Sequence, residues 1–342
     1  MIFRPLARAG TPWSVASGTM RILVLGGTLF VGRAIVDEAL RTGAEVTLFG
    51  RGKTGTELFP GVPRLLGDRD TGDYRALREG SWDAVVDVSG YVPRHVGQAM
   101  DALGDRAGRY LFVSSHAVYE REGVGPGSTE DTPRRPPVRD TEELSEDTYG
   151  PLKVACEDDV VARYGAGATL VRPGRVAGPY DPADAVPYWV RRAARGGRVA
   201  LPADPGQPVQ LIDSRDLARL VVRLLVDARP GAFHAVGPEE PTTLGGLIET
   251  CARLAGAETE IVPVSPAGRP PIFPLVRPQW TTQQRSPARA RAAGLPATPL
   301  EVTLADVLAW DRERGEPPLR AGYSPEEERA VLARHDAEAV GG

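Results

Sequence analysis

Arg21-Ile-Leu-Val-Leu25 is a short aliphatic run and reads as a buried strand. Val31, Ile35 and Ala39 then recur at every fourth position, which marks one face of a helix, and Gly43 is placed to end it. Glu45–Phe49 predicts a second strand. Apolar runs at Ala84–Val88, Tyr110–Ser114 and Thr169–Arg172 predict three more. Helical spacing fills Arg94–Leu103 and Lys153–Tyr164 between them. Strands alternating with helices are βαβ units, and right-handed crossovers make them a doubly wound α/β fold on a mostly parallel Rossmann sheet.

After Pro179 the alternation weakens. Pro182–Arg195 predicts a loop and helix, and Gln210–Asp213 a short strand leading into a helix over Leu217–Val226. Helical stretches around Leu244–Leu254 and Leu304–Arg314 flank a proline-rich run from Pro263 to Pro278. The expected organisation is a dinucleotide-binding domain over 20–180, with 206–238 returning to it. A smaller substrate-binding region covers 181–325 and a loosely docked charged tail covers 326–342. Residues 1–19 lack a sustained apolar stretch, and Met20 directly precedes the first strand, so a disordered extension is expected there.

Length and composition narrow the function classes. The 342 residues are 42% hydrophobic and 25% charged, enough apolar surface for a sizeable core. The net charge of −4 argues against a strongly basic nucleic-acid binder. Cys156 and Cys251 form neither a disulfide framework nor a zinc spacing, and His95, His234 and His335 suggest no metal site. No apolar run reaches ~18 residues, so a cytoplasmic protein without a membrane span is expected. Lys53 and Lys153 are the only lysines among 41 basic residues, which draws attention to both.

The first strand–helix junction reads Gly26-Gly27-Thr28-Leu29-Phe30-Val31-Gly32. Gly26 permits a sharp turn, Gly27 a close backbone approach, and Gly32 the packing of helix against strand. The helix N-terminus then offers free N–H groups to a pyrophosphate. Leu29 stands where the G-x-x-G-x-x-G pattern has its middle glycine. The second strand ends in Phe49-Gly-Arg51-Gly-Lys53, with no carboxylate for a ribose 2′-hydroxyl and with two cations instead. A guanidinium at Arg51 suits a 2′-phosphate, so NADP is favoured over the alternative, NAD. Asp68, after Arg64-Leu-Leu-Gly67, is placed to meet the adenine edge or to serve a turn.

Ser115 lies just beyond the strand Tyr110–Ser114, where ligands bind in open α/β sheets. Tyr149-Gly-Pro-Leu-Lys153 puts a phenol and an ammonium on one helical face, with Pro151 tolerated in a first turn. The ammonium is expected to lower the Tyr149 pKa, so that the phenol serves as general acid or base while Ser115 holds the reacting oxygen. Lys153 can also hold the nicotinamide ribose. His116 is expected at the pocket rim, Cys156, Trp189 and Trp280 as packing, and 120–145 as a mobile rim over the site.

With the glycine turn, Ser115 and Tyr149-x-x-x-Lys153 in this order, the chain resembles the short-chain dehydrogenase/reductase superfamily. The likeness is to its extended or atypical branch, the NAD-dependent epimerase/dehydratase family. Asp83–Gly90, Val171–Pro179 and Leu211–Leu217 match the family's phrases, and the resemblance covers roughly residues 20–240. It implies Ser115, Tyr149 and Lys153 as catalytic. It also implies a cofactor site of Gly26, Gly27, Thr28, Leu29, Phe30, Gly32, Arg51, Asp68, Ser89, Tyr149 and Lys153, and a homodimer through two helices per subunit. His116 and Ala117 replace the Asp-Glu pair of the family's 4,6-dehydratases, and Arg175 replaces an asparagine of its sugar-nucleotide epimerases. The expected function is therefore an NADP-dependent oxidoreductase acting on a carbonyl or alcohol of a small, biosynthetic-type molecule. The alternatives are a nucleotide-sugar epimerase with tightly bound NAD, and a noncatalytic dinucleotide-sensing or RNA-binding protein, a role known in atypical members of the family.

Overall fold

The computed structural model describes residues 18–265, 273 and 275–341. Most of the expected N-terminal extension, and residues 266–272 of the proline-rich run, lie outside the described residues. The nucleotide half runs β1 (Arg21–Leu25), α1 (Phe30–Arg41), β2 (Glu45–Gly50), β3 (Arg64–Leu66), β4 (Ala84–Asp87), α2 (Pro93–Leu103), β5 (Tyr110–Val113), α3 (Tyr149–Tyr164) and β6 (Ala168–Pro173). Then follow β7 (Arg175–Ala177), α4 (Ala185–Ala194), β8 (Gly197–Leu201), β9 (Pro208–Val209), β10 (Leu211–Asp213), α5 (Ser214–Val226) and β11 (Gly231–Ala235). The chain ends with β12 (Thr242–Thr243), α6 (Leu244–Ala255), β13 (Thr259–Pro263), α7 (Ala288–Ala292), α8 (Leu300–Glu313) and α9 (Pro325–Gly341).

Seven strands pair in parallel in the order β11-β6-β5-β4-β1-β2-β3. A parallel sheet covered on both faces reads as continuous apolar runs, which is why the strands nearest its centre are so visible in the sequence. Successive side chains of β1 leave on opposite faces. Ile22 and Val24 pack with Ile35, Val36, Leu220 and Val221 of α1 and α5. Leu23 and Leu25 pack with Val96, Met100 and Leu103 of α2 and with Cys156 and Val160 of α3. Cys156 and Trp189 are wholly buried packing residues.

Beyond β6 a second core forms from α4, α6 and α8, around Tyr188, Trp189, Leu247, Ile248, Leu304 and Val307. Beside it β8 pairs in parallel with β13. Asp213 ties the two halves together. It caps α5 by accepting from the Arg215 N–H at 2.7 Å, and it also accepts from the Thr303 hydroxyl of α8 at 2.6 Å. The charged tail is not loosely docked. It forms α9, and Glu328 reaches the Arg192 guanidinium at 2.5 Å and the Ala200 N–H at 3.1 Å. Among the described residues, no helix is long and apolar enough to cross a membrane.

Candidate active site

The site begins where β1 turns into α1. Gly26 sits at φ +92°, and a Cβ there would stand 2.7 Å from the Ser89 Cβ. A Cβ on Gly32 would stand 2.0 Å from the Gly26 carbonyl oxygen, so the helix can meet the turn only as glycine. The middle position of the motif needs no such freedom. Leu29 has extended backbone, φ −123°, and an exposed side chain, so leucine is accommodated there. Gly26, Gly27, Thr28, Leu29 and Phe30 line one end of a cleft of about 650 Å³ that runs past Arg51, Asp68 and Ser89 to Ser115, Tyr149 and Lys153. The bare glycine cradle and the N-terminus of α1 fit a pyrophosphate.

At the end of β2, Arg51 is half exposed, and its NH1 lies 3.6 Å from Asp70 Oδ2. Lys53 is exposed on the same lip. Asp68 serves its local turn, accepting from the Asp70 N–H at 3.0 Å and pairing by backbone with Asp73, while still lining the cleft. Ser89 donates its hydroxyl to the Leu25 carbonyl at 3.2 Å. The sequence reading missed Arg69. Its guanidinium is buried under the cleft on Asp87 Oδ1 at 2.8 Å, and Asp87 also accepts from the Tyr110 hydroxyl at 2.6 Å. Burial of such a charge requires this partner.

Ser115 lies two residues beyond the end of β5 and caps a short 3₁₀ turn, His116–Val118, by accepting from the Ala117 N–H at 3.1 Å. Tyr149 opens α3 and lines the same end of the cleft as Ser115, whose side chain is near enough to favour its ionised form. Gly150 makes that meeting possible, because a Cβ there would lie 2.0 Å from the Ala117 carbonyl oxygen. Its necessity was visible in the sequence only as a glycine beside the tyrosine. One turn on, the Lys153 ammonium is buried and donates to the Gly90 carbonyl at 2.7 Å and the Val113 carbonyl at 2.9 Å. The structure thus brings Ser115, Tyr149 and Lys153 to one end of the cleft.

The expected lowering of the Tyr149 pKa is not found. Burial raises it, and the nearby Ser115 side chain offsets only part of that rise. Burial also lowers the Lys153 pKa. The segment 120–145, expected as a mobile rim, is strapped down. Arg94 of α2 holds Glu142 at 2.7 Å, Arg139 holds Asp159 of α3 at 2.7 Å, and Arg134 holds Glu157 at 3.0 Å. His116 is half buried, and burial together with the charges of Arg285 and Arg175 pushes its pKa down to about 3. Trp280 is partly buried and donates its indole N–H to the Leu275 carbonyl at 3.3 Å.

A parallel sheet in this order with a glycine turn at the β1–α1 junction is a Rossmann-like α/β fold. The chain matches the model of the NAD dependent epimerase/dehydratase family over residues 22–236, and it belongs to that family. It is 27% identical over 290 residues to the chloroplast stem-loop binding protein of 41 kDa b of Arabidopsis thaliana, which spans 78% of this chain and 72% of that protein. It is 27% identical over 284 residues to the dTDP-6-deoxy-L-talose 4-dehydrogenase (NAD(P)(+)) of Kitasatospora kifunensis, covering 73% of this chain and 84% of that one. Its fold is similar to that of the Thermus thermophilus UDP-glucose 4-epimerase in complex with NAD. There the TM-score is 0.65 at 20% identity, covering 86% of this chain and 99% of that one. The oxidoreductase and epimerase chemistry of the family is therefore the kind to consider.

Proposed function

We propose that the protein is an NADP-dependent reductase or dehydrogenase acting on a carbonyl, or its alcohol, of a small molecule. The observation that carries this reading is the grouping of Ser115, Tyr149 and, one turn below it, the buried Lys153 in the cleft that starts at the glycine turn. A bound dinucleotide supplies or accepts the hydride. In reduction Ser115 donates a hydrogen bond to the substrate oxygen and orients it, and Tyr149 gives that oxygen its proton. In oxidation Tyr149 takes the proton back. Lys153, anchored by the Gly90 and Val113 carbonyls, has a third N–H with which to hold the nicotinamide ribose beside the phenol. The cations at the end of β2 support the 2′-phosphate preference, and the talose dehydrogenase is named for both nucleotides.

Tyr149→Phe keeps the ring and removes the proton. The expected result is a loss of turnover of about a hundredfold or more with unchanged NADPH affinity, measured by fluorescence titration of both proteins. Mass spectrometry of nucleotide released on denaturation provides the second arm. Stoichiometric NAD⁺ that does not exchange would overturn the net-reductase reading in favour of an epimerase that regenerates its own nucleotide.

A further inference from the structure

Most carboxylates around the end of β2 are already committed. Asp68 accepts from the Asp70 N–H at 3.0 Å, Asp87 is buried on Arg69 at 2.8 Å, and Arg94 holds Glu142 at 2.7 Å. Asp70 is the exception. Its Oδ2 lies 3.6 Å from Arg51 Nη1 and its Oδ1 lies 3.6 Å from His95 Nε2, and the side chain is 68% exposed. Asp70, Arg51 and His95 all line the cleft. The backbone beneath this carboxylate is fixed. Asp68 and Asp73 exchange backbone hydrogen bonds across the turn at 3.0 and 2.8 Å, and Arg94 donates to the neighbouring Arg69 carbonyl at 3.1 Å. The turn after β3 therefore presents a carboxylate at the lip of the cleft, tied only by one long, exposed ion pair and one long contact to an imidazole.

In a doubly wound fold the end of β2 meets the adenosine ribose of a dinucleotide, and a carboxylate there accepts from the 2′-hydroxyl. β2 and the residues after it, Phe49-Gly-Arg51-Gly-Lys53, supply cations and no acid. The acid comes instead from the turn after β3, where Asp70 faces Arg51 across the lip. The two side chains make opposite demands on the same sugar. A 2′-phosphate is drawn to Arg51 and repelled by Asp70, whereas a 2′-hydroxyl is held by Asp70 and leaves Arg51 beside its carboxylate. An exposed pair of this length is weak, so either nucleotide separates it at little cost. His95 is then a second neighbour for the carboxylate when a phosphate claims Arg51. We infer that Asp70 sets the nucleotide preference of this cleft, admitting NAD(H) by accepting from its ribose 2′-hydroxyl and holding back NADP(H) by its charge, so that the site takes both nucleotides. This rests on the reading of the cleft as a dehydrogenase site and adds a second nucleotide to it.

The test titrates the whole protein and two variants with NADPH and, separately, NADH, following nucleotide fluorescence. The parent is expected to bind both. Asp70→Ala removes charge and acceptor together, and the Kd for NADPH should fall about threefold or more while that for NADH rises about threefold or more. Asp70→Asn removes the charge and keeps a neutral acceptor, so it should match the NADPH gain and show a smaller NADH loss. Added salt should shrink the NADPH gain in both variants, because it screens the repulsion that the substitution removes. Thermal midpoints should stay near that of the parent, as the side chain is exposed. If Asp70→Ala does not tighten NADPH, or does not weaken NADH, the inference is overturned. A parent that binds NADPH and no NADH overturns it equally, and leaves the NADP-dependent reading standing. If neither nucleotide binds the parent, the reading of the cleft fails first and takes this one with it.

Discussion

His234 is a buried imidazole held between two neutral partners. Its Nδ1–H donates to the Ser286 carbonyl at 3.1 Å, and its Nε2 accepts from the Tyr119 hydroxyl at 2.8 Å. Burial first, then the charge of Arg285, pushes its pKa down to about 3 from the 6.5 of a free side chain. A group depressed in this way contributes its full stability above 6.5 and loses it as the pH falls toward 3. Stability is therefore expected to fall between pH 6.5 and 4.5, before the carboxylates titrate, by up to about 1.4 kcal/mol per pH unit for this one group. Urea midpoints across that window check it. His234→Gln lowers the level but flattens the slope, and an unchanged slope would remove His234 as the cause. Arg51 supports a second expectation. Its contact with Asp70 is long and half exposed, a pair of the weak kind that a doubly charged phosphate displaces. Arg51→Ala should raise the Kd for NADPH about tenfold or more and leave NADH nearly unchanged. Equal losses for both nucleotides would refute a 2′-phosphate contact. The place of Arg51, Ser115, Tyr149 and Lys153 on one cleft was legible because each belongs to a local motif of fixed spacing. Arg69 with Asp87, and His116 with Arg175 and Arg285, were not, because only the fold brings those distant positions together.

At the scale of elements, legibility followed burial on both faces. The strands near the centre of the sheet are nearly unbroken apolar runs, and their ends fell within a residue or so of the expected ones. β11 was missed because it opens on Gly231-Ala232 and spends a position on His234, whose polarity is answered only by Tyr119 and Ser286 in three dimensions. β8 and β13 each show too short a pattern to stand out, and their pairing across about sixty residues has no local signal. α3 begins at Tyr149, four residues before its apolar spacing becomes visible, because Gly150 and Pro151 interrupt the pattern. Those two residues serve the junction rather than the helix. Gly150 lets the first turn of α3 touch the Ser115 turn, and an added methyl would have to displace backbone, since its neighbour is the Ala117 carbonyl. Gly150→Ala is expected to cost about 1–3 kcal/mol of stability and to part Tyr149 from Ser115. Steady-state kinetics should then show kcat falling more than KM rises, with NADPH binding kept. An unaltered Tm with full turnover would show that the junction is looser than its geometry.

For the whole molecule, the nucleotide half is a sheet with helices on both faces, whereas in the second half buried ion pairs cross-link the elements around a smaller apolar core. Arg191 and Arg314 converge on Asp311 and draw α4 to α8, Asp213 joins β10 to α8, and Glu328 of α9 clamps Arg192 of α4. This explains why the tail, charged along its length and without an apolar stripe, gave no sign of docking. Its anchor is one buried ion pair and a few apolar contacts around Val331. Arg192 and Glu328 are 6% and 8% exposed, so removing the carboxylate strands a guanidinium in the interior. Glu328→Gln is expected to destabilise by about 3–5 kcal/mol, the usual cost of breaking such a pair from one side. The loss should also be uneven. α4 is part of the second core with α6 and α8, so that core should loosen while the parallel sheet keeps its packing. Hydrogen exchange of the variant should show faster opening over 185–201 than over β1, β4 and β5, and substrate affinity should fall further than NADPH affinity. Uniform acceleration across both halves would mean that the molecule unfolds as one cooperative unit and that α9 stabilises all of it.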